Sequence, residues 1–129
     1  MMKKRVTNYI KARVRSFEYA LNGIYFLFID EPNAIVQAIL AIVALVMGVL
    51  LRISSIEWII LCLVIGLVLA MEAVNSAIEN LADFASNKRI EESIKKTKDL
   101  SAAAVLFTSI TALITGLIVF LPKLLSFLF

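Results

Sequence analysis

Histidine is absent from this chain, cysteine occurs once, glycine four times and proline twice. The missing imidazole removes His-based triads, His–metal clusters and His general bases together. A single cysteine, Cys62, leaves no intrachain disulfide, and its place inside an apolar run reads as a buried, inert thiol. The glycines (Gly23, Gly48, Gly66, Gly116) are scattered, so neither a P-loop nor a kinase Gly-rich loop can be assembled from them. Charge is also scarce, at 18% of 129 residues, against 61% hydrophobic residues and a mean hydropathy of +0.94. Soluble domains are nearer half apolar, so the composition predicts an integral membrane protein, read as one domain over 1–129.

What charge there is lies in blocks. Lys3, Lys4, Arg5, Lys11, Arg13 and Arg15 precede the first acid, Glu18, and Lys88, Arg89, Lys95, Lys96 and Lys98 fall between two apolar runs. The intervening turn carries only Arg52, and the C-terminal tail only Lys123. The positive-inside rule therefore predicts a cytoplasmic N-terminus and 84–98 loop, and a C-terminus outside. Anionic head groups account for the basic blocks, so no nucleic-acid partner is expected. The start, MMKKRV, resembles a signal-peptide n-region, but no apolar core follows at the right distance, and the segment is expected to be retained.

Three apolar runs predict membrane helices over 33–51, 56–83 and 98–121, each with an apolar stretch of roughly 27–32 Å at 1.5 Å per residue, enough to cross a bilayer. Ser55 is the expected N-cap of the second, Trp58 an interfacial anchor, and Pro122 the end of the third. Ahead of them, Ile10, Val14, Phe17, Leu21, Ile24 and Phe28 recur at helical spacing, with Lys11, Arg13, Arg15, Glu18 and Asn22 on other faces. That pattern predicts a basic amphipathic helix over 5–30 lying in the membrane interface. Pro32 disfavours helix at Glu31 and suits the first turn of the next helix.

The second apolar run holds the most informative pattern. Residues 58–71 have no polar side chain except Cys62, yet the helix continues through Glu72, Asn75, Glu79 and Asp83. At 100° per residue these four fall within about 80° of one another. A carboxylate at the edge of hydrocarbon costs a few kcal/mol, and such acids bind cations, move protons or do acid–base chemistry. The predicted topology gathers Glu31, Glu72, Asn75, Glu79, Asp83, Lys98 and Asp99 at the inner interface. Carboxylates without His or Cys suit a hard cation, with Mg²⁺ held partly by phosphate the natural choice. Lys98 can neutralise phosphate charge, and a shielded acid can serve as general base. These parts suit phosphoryl transfer to a lipid hydroxyl. A rival reading is a small proton- or cation-coupled transporter or channel subunit using Glu72, but the residues beyond Glu72 toward the outside are apolar and offer no path.

The string Glu72-Ala-Val-Asn-Ser-Ala-Ile-Glu-Asn-Leu-Ala-Asp83, followed by Lys98-Asp-Leu-Ser-Ala-Ala-Ala-Val-Leu106, resembles the small prokaryotic diacylglycerol kinases, which include undecaprenol kinases. The resemblance extends over nearly the whole chain and implies a homotrimer in the bacterial cytoplasmic membrane, transferring the γ-phosphate of ATP to a lipid alcohol with Mg²⁺. By position it makes Glu72 the proton acceptor and Glu31 and Glu79 the metal ligands. It also implies nucleotide contacts at Tyr19, Glu31, Glu79, Lys98 and Asp99, and supporting roles for Asn75, Asp83 and a basic residue aligned with either Arg13 or Arg15. Gln37 departs from members that carry a second carboxylate there. The segment Leu51-Arg-Ile-Ser-Ser-Ile-Glu-Trp58 looks more like the undecaprenol branch than the diacylglycerol branch.

Overall fold

The computed structural model describes residues 2–87, 89 and 91–128; Lys88 and the side chains of Lys3 and Lys4 lie outside the described residues. Four α-helices account for nearly all of them: α1 Met2–Asp30, α2 Pro32–Leu50, α3 Ser55–Ala85 and α4 Glu92–Leu128. Compactness divides the chain into two units, Met1–Pro32 and Asn33–Phe129.

The first unit is α1. Within it the Arg13 guanidinium lies 4.9 Å from the centre of the Tyr9 ring one turn earlier, a cation–π contact. The seam residues Ile10, Val14, Phe17, Leu21 and Ile24 are all exposed in the single chain. The helix stops at Asp30, Glu31 is non-helical, and Pro32 opens α2. A proline at the first helical position gives up an N–H that had no intrahelical acceptor, so the break falls where the sequence predicts it.

In the second unit α2, α3 and α4 are each long and apolar enough to cross a membrane, with mean hydropathies of 2.4, 2.3 and 2.4 in their most apolar windows. Side chains such as Leu63, Phe107 and Ile118 are about 70% exposed, an outer surface suited to hydrocarbon rather than water.

The turn between α2 and α3 is closed on both sides. Arg52 adopts a left-handed φ of 50°. Its N–H reaches the Val49 carbonyl (3.2 Å), and the Ile53 N–H reaches that of Gly48 (3.1 Å). This pair of bonds is a Schellman C-cap with arginine where glycine is usual. The N-cap of α3 is Ser54, not the expected Ser55. Ser54 is extended, its Oγ accepts the Glu57 N–H at 3.3 Å, and its own N–H donates to Glu57 Oε2 at 2.6 Å. That reciprocal capping box requires a Glu three residues after the cap, which Ser54 has and Ser55 lacks.

Beside this turn α2 and α3 approach closely at Gly48. A Cβ there would lie 2.9 Å from Trp58 Cη2. Trp58 thus packs on α2 and joins the core of Ile53, Leu61, Val119 and Phe120. Helices α3 and α4 are antiparallel, with an ion pair near each end: Glu57 Oε2 to Lys123 Nζ at 3.3 Å, and Asp83 Oδ1 to Lys98 Nζ at 2.9 Å.

Helix α4 departs from expectation at both ends. It starts at Glu92 because the Glu- and Lys-rich residues before Lys98 are good helix formers. It also runs through Pro122, which loses one backbone hydrogen bond without ending the helix.

Candidate active site

Glu72 is 1% exposed and is the largest fully buried side chain among the described residues. Burying a lone carboxylate among apolar side chains is costly unless it is hydrogen-bonded. Its partner comes from the neighbouring helix, where Gln37 Nε2 donates to Glu72 Oε2 at 2.7 Å. The Gln37 Oε1 is buried and has no protein donor.

One turn further along α3, Asn75 is 9% exposed and its Nδ2 donates to Glu79 Oε1 at 3.2 Å. The Asn75 Oδ1 is buried without a partner, as is the Oγ of Ser76. Asp83, one turn beyond Glu79, is bonded to Lys98, and both side chains stay partly exposed at 45% and 34%. The polar face of α3 therefore resolves into three successive pairs: Gln37–Glu72 deep, Asn75–Glu79 intermediate and Asp83–Lys98 toward the helix end. Polarity and exposure rise together along it.

The helices explain the placement. Glu72, Asn75, Glu79 and Asp83 recur at spacings of three and four, so one face of α3 carries all of them. Lys98 reaches this face because antiparallel packing sets its turn of α4 beside Asp83. Asp99, one residue on and about 100° round the helix, is exposed. In the first unit Tyr19 is 67% exposed and Arg15 is exposed one turn before it, while Glu31 occupies the break between α1 and α2. Arg13 is engaged with Tyr9, which distinguishes it from Arg15.

Among the described residues no three acids, His or Cys converge to hold a metal ion by themselves. Mg²⁺ does not need such a cage, since it commonly binds through one or two carboxylates, water and substrate phosphates. The Glu79 carboxylate, half-buried on the polar face of α3, is a hard oxygen donor that fits that manner of binding.

Two participants escape a reading of α3 alone. Gln37 is visible in sequence as the one polar interruption of the 34–51 run, but its pairing with Glu72 depends on how α2 and α3 are rotated. Ser76 lies four residues after Glu72, hence on the same face, and that spacing is the signal that finds it.

Comparison with known proteins identifies the family. The family model for prokaryotic diacylglycerol kinase matches residues 18–120, a stretch that includes Tyr19, Glu31 and every member of the three pairs. An undecaprenol kinase of Bacillus subtilis is 37% identical over 110 residues, covering 85% of this chain and 89% of that protein. A diacylglycerol kinase of Synechocystis sp. is 32% identical over 111 residues, covering 86% of this chain and 63% of that longer relative. Both of these relatives are named as lipid kinases, which does not favour the transporter reading. With its three bilayer-length helices and its kinase relatives, the chain is a multi-pass membrane lipid kinase and belongs to the prokaryotic diacylglycerol kinase family.

Proposed function

We propose that this protein transfers the γ-phosphate of ATP to the hydroxyl of a membrane lipid alcohol, undecaprenol in preference to diacylglycerol, with Glu72 as general base. The observation that carries the reading is the Glu72 carboxylate, almost wholly buried in an apolar span and held by Gln37. The lipid preference rests on the 37% identity to an undecaprenol kinase and on the turn sequence 51–58.

In this reaction the lipid hydroxyl oxygen attacks the γ-phosphorus and its proton passes to the Glu72 carboxylate. The bond between the γ-phosphorus and the β–γ bridging oxygen breaks, and ADP leaves. Burial suits Glu72 to this work, because it keeps bulk water from the transfer while Gln37 holds the carboxylate in one direction. Glu31 and Glu79 are the carboxylates that would hold Mg²⁺, which when bound would offset charge on the phosphates. Lys98, released from Asp83, supplies a mobile cation to the same phosphates. Tyr19 and Asp99 remain the further nucleotide contacts, and Arg15 is favoured over Arg13 as the free basic group of α1.

The same reading takes α1 as an interfacial helix, with the N-terminus and the 84–98 loop cytoplasmic and the C-terminus outside. It also takes the active protein as a homotrimer, since one helix and three spans offer few walls for a nucleotide, a metal and a lipid at once. The small residues Gly66, Ala70, Ala73 and Ala77 on α3 supply a face for close helix approach. The direct test is purified protein in lipid micelles with labelled ATP, Mg²⁺ and either undecaprenol or diacylglycerol. Labelled lipid is the expected product; its absence with both acceptors overturns the reading.

A further inference from the structure

In the proposed reaction each turnover leaves the proton of the lipid hydroxyl on Glu72, and the carboxyl must lose it before the next acceptor can react. Glu72 is 1% exposed, so bulk water does not take that proton directly. Its neighbours narrow the routes. One turn back toward the N-terminus of α3 stands Val68, which is apolar and buried. Across the helix pair Gln37 donates its Nε2–H to the carboxylate, and a carboxamide holds such a bond without taking up or giving away a proton near neutral pH.

One turn on, toward the Asp83 end, stands Ser76. It is 7% exposed, and its Oγ is buried with no hydrogen-bond partner. A serine or threonine inside a helix commonly donates to a carbonyl three or four residues back, as Ser101, Thr108 and Thr111 do at 2.9 Å. Ser76 makes no such bond to Glu72 or Ala73. A buried hydroxyl left unpaired is costly and calls for a reason.

The row continues to the surface. Four residues after Ser76, Asn80 is exposed, and its Nδ2 donates to the Ser76 carbonyl at 2.9 Å. Three residues further lies the partly exposed Asp83–Lys98 pair, which marks the wetted end of this face. Glu72, Ser76 and Asn80 thus form one row at spacings of four, passing from a buried acid through a buried hydroxyl to an exposed amide. Neighbours in such a row have Cβ atoms about 5–6 Å apart, a gap that the side chains or one bridging water can close. Of the two residues beyond Glu72, only the hydroxyl can receive one proton and release another without net change.

We infer that Ser76 relays the proton from Glu72 to water at Asn80 and so resets the base between turnovers. The inference rests on Glu72 as general base and adds the route by which that base is regenerated. The Ser76 oxygen accepts the Glu72 proton, directly or through one water, as its own proton passes to water beside Asn80. Only O–H bonds form and break. Glu72 returns to carboxylate, solvent carries the proton away, and Ser76 is again a hydroxyl.

A first turnover begins with the base already free, and only later ones wait for its release. That difference is the test. Full-length wild type, Ser76→Ala, Ser76→Thr and Thr111→Val are each mixed in lipid micelles with excess labelled ATP, Mg²⁺ and undecaprenol, and labelled lipid is measured in rapidly quenched samples. Thr111 is the control, exposed on α4 with its hydroxyl bonded to its own helix. Ser76→Ala is expected to keep the first-turnover rate within about twofold and to slow later turnovers about tenfold or more, a burst of about one labelled lipid per site. Ser76→Thr keeps the hydroxyl and should restore most of the steady rate, and Thr111→Val should match wild type.

A packing role for Ser76 would not separate the two phases. Equal slowing of first and later turnovers, or wild-type kinetics in Ser76→Ala, would overturn the relay. Ser76→Ala removes an unpaired hydroxyl, so its thermal unfolding in detergent should match or exceed that of wild type. A clear loss of stability would mean that the hydroxyl has a structural partner, which also overturns the relay. An active wild type whose Ser76→Ala variant shows no burst leaves the kinase chemistry standing and removes only the relay. A wild type that labels no lipid sinks the kinase reading itself, and the relay, with no proton to carry, falls with it.

Discussion

Gln37 and Glu72, 35 positions apart in the chain, meet through a 2.7 Å hydrogen bond that ties the first span to the second at a buried carboxylate. The bond gives Glu72 a fixed direction as well as a partner, and a general base must be aimed before its basicity matters. Glu72→Gln should therefore lower turnover by about 10²-fold or more while the protein stays folded, because the variant keeps the volume and removes a buried charge. Gln37→Leu keeps the acid but leaves it without this donor. It should destabilise the protein by about 1–3 kcal/mol and slow phosphorylation less severely than Glu72→Gln. Label transfer to lipid and thermal unfolding in detergent, run on both variants, check the pair; a stable and fully active Gln37→Leu would break the link.

Glu79→Ala should raise the Mg²⁺ concentration needed for half-maximal rate, and full activity of the wild type in excess chelator would remove the metal from the scheme altogether. The motive is the half-buried Glu79 carboxylate, a hard oxygen donor on the polar face of α3. A metal titration of the rate at fixed ATP reads the effect directly.

Lys98→Ala should raise the apparent KM for ATP about tenfold and leave that for the lipid nearly unchanged, as expected of a cation that meets phosphate. Its ion pair with Asp83 is partly exposed, and such pairs contribute less than about 1 kcal/mol, so the folded state should hardly notice the change. A shift confined to the lipid KM would assign Lys98 to the other substrate.

Gly48→Ala should destabilise the protein by about 1–3 kcal/mol without touching the chemistry, since the added methyl group would sit 2.9 Å from the Trp58 ring. Trp58→Leu in the same background should recover part of the loss. Thermal unfolding followed by intrinsic fluorescence serves the single variant, and circular dichroism the double.

The spans were legible because hydrocarbon imposes length: an apolar run of bilayer length has few alternatives to a helix. The break at Glu31 was legible because Pro32 constrains the residue before it. The polar face of α3 was legible because a helix converts spacing into direction. Details set by tertiary contact were less so. Ser54 and Ser55 are both good caps, and only Glu57, three residues after the first, separates them. Pro122 reads as a terminator, yet α4 continues and places Lys123 against Glu57. The Gln37–Glu72 bond lies beyond any reading of single helices, because it depends on the rotation of one helix about its axis relative to another.

The paired ends of α3 and α4 make these two helices a strut of set length. At 1.5 Å per residue, Glu57 and Asp83 are about 39 Å apart along α3, and each is matched by a lysine on α4 in the same register. Sliding one helix along the other would break both matches together. Glu72 stands about 16 Å from the Asp83 end of this strut, so the depth of its carboxylate is a property of the protein and not of the surrounding lipid. A thicker or thinner bilayer has to deform around the strut. The substrate hydroxyl, by contrast, floats with the membrane surface. With Glu72 in its proposed role as base, bilayer thickness would set how far an alcohol must travel to reach it.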